Sequence, residues 1–189
     1  MHALFERVEW SDGVDVDSVV ESWKASAPRD RAFEEAVSAH FRRAMASGEV
    51  QKALARPSGR VELWREKPFE LMVGNQWISG AFDRVVIVRH PDGRALSAAI
   101  LDYKTNRLDE ANSVEHWTGH YTPQMALYGW ALARMLRMEP SDIQLQLLFT
   151  QKAQLAAVAP DSARKAMEGL IKPVSASEAR SARRRSKGS

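Results

Sequence analysis

The strongest constraint on this chain is a change of hydrophobic period at Arg60. Before that residue the apolar positions recur at helical spacing, and after it they alternate along runs bounded by turn residues. HALFERVEW reads as a helix broken at Ser11-Asp12-Gly13. Asp17 stands before a second helix, SVVESWKASA, which Pro28 ends. Asp30 caps a third, RAFEEAVSAHFRRAMAS, with Phe33, Ala36, Val37, His40, Phe41 and Ala44 on one face. Gly48 stops it, and a short VQKALARP turn follows. VELWREKPFELMV then has strand character with an interruption at Pro68. Gln76 to Arg89 is a strand, Pro91-Asp92-Gly93 a turn, and ALSAAILDYKT the next strand, which gives a hairpin or meander. Helix returns at Pro123 in PQMALYGWALARMLRM. IQLQLLFTQ is a strand with AQLAAVA as its partner, and PDSARKAMEGLIK is a last helix. Helices, three strands, helix, strand and helix in that order predict an α/β fold, a mixed sheet flanked by helices behind an N-terminal helical segment.

With 189 residues, 44% of them hydrophobic, the chain is long enough for one domain with a real core. The formal charge of +3 suggests a polyanion partner, but it is unevenly placed. Residues 176–189 hold five basic side chains (Arg180, Arg183, Arg184, Arg185 and Lys187) against Glu178, which leaves −1 for residues 1–175. The reading is therefore a near-neutral domain over 1–175 and a basic, disordered tail over 176–189. The absence of cysteine excludes disulfides, thiolate zinc, iron–sulfur clusters and a cysteine nucleophile. No apolar run approaches the length of a membrane span, and no signal peptide is visible, so a cytoplasmic protein that does not engage a membrane is expected. No phosphate-binding G-x-x-x-x-G-K-[ST] loop is present, so no ATPase is expected here. The abrupt opening on HALFERVEW suggests a piece of a longer polypeptide.

Chemistry concentrates in ISGAFDRVVIV and AAILDYKT. Asp102 and Lys104 are two apart on a strand, so they share a face with Ile100, while Leu101 and Tyr103 take the other. Asp83 lies in the neighbouring strand, after Gly80, where a bare backbone leaves room. If the strands pair across the turn, Asp83 and Asp102 come close, and a hard divalent cation is the usual remedy for two such carboxylates. A lysine beside them can position a water and offset charge on a phosphate. Spacing alone reads equally as an exposed Asp102–Lys104 salt bridge, worth ~0–1 kcal/mol.

G-x-x-D-R over Gly80–Arg84, then Leu101-Asp102-Tyr103-Lys104-Thr105, then Tyr121, Gln124 and Tyr128 together resemble the RecB/AddA-type nuclease domain of the PD-(D/E)XK superfamily. Glu66-Lys67-Pro68-Phe69 is similar to the E-x-P-F strand of that family. Met1 to Glu6 is similar to its histidine-bearing helix, without the Gly-Thr that usually comes first. The resemblance covers nearly the whole chain apart from the tail, and it implies a restriction-endonuclease-like core. It further implies that Asp83, Asp102, His2 and the Tyr103 carbonyl ligate Mg²⁺ or Mn²⁺, and that Lys104 orients a water or stabilises transition-state charge. Gln124 and Tyr128, four apart on one helix face, would contact DNA or Lys104. The lack of cysteine favours the RecB/AddA branch over AddB-like relatives that hold an iron–sulfur cluster.

The function implied is a metal-dependent deoxyribonuclease, exodeoxyribonuclease V-like, working in double-strand break repair and recombination. It would follow a helicase on the same parent polypeptide or serve one held by a partner subunit. The alternative is a nuclease-like domain that binds DNA or a partner protein without cutting. Other candidates read more plainly. His40 is a packed or surface histidine, and His116 and His120 lie in a solvated loop. Glu66 is either a group behind the metal ligands or a strand-end charge. Trp10, Trp23, Trp64 and Trp130 are core residues, and Trp117, in the loop after the site strand, is the best base-stacking candidate.

Overall fold

The computed structural model describes residues 1–73, 76–109 and 112–171. The expected tail over 176–189 lies outside the described residues. Four helices come first: α1 (His2–Phe5), α2 (Val16–Ala25), α3 (Arg31–Met45) and α4 (Gly48–Leu54). Strands β1 (Arg60–Val73), β2 (Gln76–Arg89) and β3 (Ala95–Lys104) follow, then α5 (Val114–Leu136), β4 (Ile143–Phe149), β5 (Gln154–Ala157) and α6 (Pro160–Ile171). The five strands form one sheet in the order β1-β2-β3-β4-β5. Only β3 and β4 run parallel, with α5 as the crossover between them. This is the mixed sheet flanked by helices that the sequence implies.

Each face of the sheet has its own core. Ile100, Leu145, Leu147 and Phe149 bury against α5 on one face. Leu101, Tyr103 and Leu148 bury against α1–α4 on the other, with Phe5, Trp23 and Phe41. The alternation expected for Ile100, Leu101 and Tyr103 therefore holds in β3. No helix among the described residues is long and apolar enough to cross a membrane.

Several boundaries differ from the sequence reading, each for a local reason. The α1 helix stops at Phe5, where the Arg7 and Val8 N–H groups bond the Leu4 and Phe5 carbonyls three residues back, and the Val8 and Glu9 carbonyls beyond it accept from the Arg84 guanidinium. Asp15, not Asp17, caps α2, accepting from the Asp17 and Ser18 N–H groups. Asp30 caps α3 as expected, but Phe33 is 54% exposed, because the buried stripe centres on Ser38, Phe41, Ala44 and Met45. Gly48 opens α4 instead of ending a helix in a turn. Pro68 does not interrupt β1, which lies at the edge of the sheet, where proline is tolerated. The α5 helix begins at Val114, nine residues before Pro123, so His116, Trp117 and His120 are helical and not in a loop. Ser113 accepts from the His116 N–H to cap that helix, and Pro123 is carried inside it on the exposed side.

Candidate active site

The site forms where β2 leaves β3. Pairing of β2 with β3 ends at Arg84↔Leu101, whereas pairing with β1 runs on to Val73↔Gln76. Beyond Arg84, β1 and β2 continue as a two-stranded arm. At the fork, Phe82 and Val85 bury in the same core although three apart, which unbroken alternation forbids. The break shows in the partner strand as well, where Glu66 sits opposite with φ +47° and the Glu66–Asp83 pair drops out of the ladder. A positive φ is rare for a non-glycine residue and marks local strain. The Asp83 carboxylate fills the gap, its Oδ2 accepting the Tyr103 N–H at 2.7 Å.

Gly80 is required at the arm's root. A Cβ there would lie 2.8 Å from Phe69 Cζ and 3.5 Å from Tyr128 Cε1. The room expected beside Gly80 is thus taken by two rings. Phe69, Phe82 and Tyr128 interlock, with Phe69 stacked on Phe82 at 4.5 Å and Tyr128 edge-on to both at 5.4 Å.

Two groups of polar side chains meet at this fork. His2, Glu66 and Asp83 each offer a ligand atom within 4.8 Å of the others. His2 Nδ1 stands 3.5 Å from Asp83 Oδ2. Burial, and next the charge of Asp102, pushes the Asp83 carboxyl up to about 6, against the pull of the Tyr103 N–H and His2. Burial and then Glu6 push Glu66 up as well. Negative charge here exceeds what His2 offsets. A donor set of carboxylate oxygens with one imidazole is the chemistry of a hard divalent cation, so the residues present fit Mg²⁺ or Mn²⁺.

The second group centres on Lys104. Asp102 is only 3% exposed, and its Oδ2 pairs with Lys104 Nζ at 2.7 Å. The Asp102–Lys104 pair is therefore a buried ion pair, not the exposed salt bridge that spacing alone allows. Lys104 Nζ also donates to Gln124 Oε1 at 3.0 Å, and Gln124 Nε2 donates to the Tyr128 hydroxyl at 3.1 Å. Both ends of the Gln124 amide are used, which fixes its orientation. Burial raises the Tyr128 hydroxyl above the ordinary phenol range. Tyr128 reaches Lys104 only through Gln124. Tyr103 contributes its backbone, because its side chain points to the other face and stacks on Phe5 at 4.9 Å.

Supporting contacts hold both groups. Thr150 donates through its N–H and hydroxyl to the Lys104 carbonyl at 2.9 and 3.2 Å. His40 Nε2 donates in turn to the Thr150 carbonyl at 2.7 Å, a packed role as expected. Arg84, 1% exposed, donates to the Val8 and Glu9 carbonyls, lies 5.0 Å from the Trp10 ring centre, and sits next to the Tyr103 hydroxyl.

Three residues named in the sequence make contacts that it does not reveal. Arg84 looks like half of a motif, and nothing in its spacing tells that it reaches the chain's first ten residues. Tyr121 stands in the motif, but its contact with Lys104, 3.8 Å from Nζ to ring centre, is a tertiary fact. Trp117 is not a free stacking platform, since it is partly buried and stacks on Tyr121 at 5.8 Å. Residues 117, 121, 124 and 128 do form a helical stripe, a signal that a helix starting at Val114 would have exposed.

A mixed sheet whose fork carries acids, a histidine and a part-buried lysine fits a nuclease core. The chain belongs to the PD-(D/E)XK nuclease superfamily, whose family model matches residues 1–186. It is similar to an ATP-dependent helicase/nuclease of Streptococcus pneumoniae (strain Hungary19A-6), 29% identical over 164 residues, which are 83% of this chain and 12% of that protein. The exonuclease/helicase protein RexA of Streptococcus pneumoniae serotype 4 (strain ATCC BAA-334 / TIGR4) matches at the same 29% identity and the same coverage. The chain therefore spans about 12% of the length of the curated relatives it matches.

Proposed function

We propose that the chain is a divalent-metal-dependent deoxyribonuclease module that hydrolyses phosphodiester bonds as the nuclease part of a helicase–nuclease in double-strand break repair. The observation that carries this is the buried Asp102–Lys104–Gln124 group set against the His2–Glu66–Asp83 cluster at one fork of the sheet. Structural burial alone would give no reason to gather three carboxylates there.

His2, Asp83, Asp102 and the Tyr103 carbonyl, with Glu66 added by the geometry, are the groups that would hold Mg²⁺ or Mn²⁺. The metal supplies Lewis-acid polarisation of the scissile phosphate and a water of lowered pKa. The rest falls to the chain. The Tyr103 N–H fixes the rotamer of Asp83. Lys104 is held at the mouth of the acid cluster, where its ammonium can orient a water or meet the charge that grows on the phosphate oxygens. Gln124, locked by Tyr128, keeps that ammonium from collapsing wholly onto Asp102. Hydrolysis proceeds in line, with no covalent intermediate. Arg180 and Arg183–Arg185 add salt-sensitive attraction for phosphates and no chemistry.

The test is a cleavage assay on linear single- and double-stranded DNA with Mg²⁺ or Mn²⁺, with and without EDTA. Cleavage is expected only with the metal, and Lys104→Ala and Asp102→Ala should lower it by about 10²–10³-fold while remaining folded. Full activity in both variants would overturn the assignment. DNA binding without cleavage at any metal concentration would favour the non-cutting reading.

A further inference from the structure

We propose that Tyr121 is a positioning residue for Lys104, its ring forming one wall of the socket that holds the ammonium. The inference rests on the reading above that Lys104 acts at the phosphate.

A lysine is a point charge on a flexible stem, so its site must fix it from several sides. Here Asp102 Oδ2 stands 2.7 Å from Nζ, Gln124 Oε1 3.0 Å, and the Tyr121 ring centre 3.8 Å. The first is an ion pair, and the second is a hydrogen bond that uses one of the three N–H donors. The ring attracts the charge through its electron-rich face. It counters the pull of Asp102 without claiming a hydrogen in a lone-pair bond, which leaves a donor for a water or a phosphate oxygen.

The ring is itself held in place. Its hydroxyl donates to Asn106 Oδ1 at 3.0 Å, which ties α5 to the segment leaving β3. Trp117, one turn earlier, stacks on it with the planes 22° apart, and His120 meets it edge-on at 5.0 Å. Trp117 keeps this place although its buried indole N–H has no hydrogen-bond partner among the described residues. A lost hydrogen bond is tolerated there, so the stacked position carries value of its own. Trp117, Tyr121 and the Lys104 ammonium thus form three successive layers.

The experiment uses the full chain with ¹³Cε-labelled lysine, the Lys104 signal being assigned by its loss in Lys104→Ala. Ring current from Tyr121 should displace that signal from the other lysines in the resting protein, with no metal or DNA added. Tyr121→Phe keeps the ring and should keep the displacement, with cleavage within about two-fold of the parent. Tyr121→Leu should return the signal to the lysine envelope and lower kcat by about ten- to thirty-fold, with KM for DNA little changed. Trp117→Leu, which leaves Tyr121 in place, should give an intermediate displacement. A Lys104 signal that stays put in Tyr121→Leu overturns the proposal, as does a Tyr121→Phe variant as impaired as Tyr121→Leu. Full cleavage by Lys104→Ala would instead sink the reading of the site, while the resting-state signal would still report the socket.

Discussion

The two faces of the sheet deliver their parts of the site by opposite means. On the α5 face, one helix carries Trp117, Tyr121, Gln124 and Tyr128 in a single stripe, and neighbouring positions of β3 carry Asp102 and Lys104. Their relative placement follows from helical and strand periods. On the other face, His2 arrives on a helix of four residues at the chain's start, too short to be stable alone. Arg84, which follows Asp83 directly, helps to place it by gripping the Val8 and Glu9 carbonyls. One half of the site is thus built by local geometry, and the other is held by long-range contacts: the buried Leu4, Phe5 and Val8, and the Arg84 and Arg65 guanidinium groups on backbone carbonyls.

Arg84→Met should break this contrast most sharply. It strands the buried Val8 carbonyl, frees that of Glu9 and should cost about 3 kcal/mol in urea denaturation. Amide exchange should accelerate over residues 1–10 and leave α5 unchanged. Uniform acceleration throughout would show that the N-terminal segment is not separately pinned. Gly80→Ala strikes the fork where the faces meet. With a methyl forced against Phe69 and Tyr128, a loss of about 1–3 kcal/mol is expected, and a midpoint equal to that of the parent protein would refute the close approach. Ser113→Ala should have the smallest effect, about 1 kcal/mol, because it removes the cap of α5. Its exchange signature should mirror that of Arg84→Met, with faster exchange at the start of α5 and none of the change at residues 1–10.

Much of this is legible in the residues. The change of period at Arg60 puts helices before strands, and the alternation of Ile100, Leu101, Tyr103 and Lys104 is present as expected. Asp102 and Lys104 share a face for the same reason. The start of α5 is hidden because Pro123 resembles a boundary, whereas the capping serine lies ten residues earlier. Pro68 reads as an interruption because its tolerance depends on β1 being at the sheet edge, and strand order is not written in any one strand. The chain of Gln124 to Tyr128 is visible as a four-residue spacing, but the ring that touches Lys104 directly belongs to Tyr121.

Hydrophobic period and short motifs already carry the layers, the family and the identity of the chemical groups, because they are local and survive translation into any compatible fold. The tertiary structure alone decided how those groups meet. Asp83 and Asp102 would face each other across an unbroken ladder. The fork at Arg84, with the positive-φ backbone of Glu66 opposite, brings His2 and Glu66 to Asp83, while Asp102, whose charge Asp83 still feels, pairs with Lys104. That division depends on where one strand pairing stops, which is settled by packing on both faces of the sheet at once and by no residue's own preference.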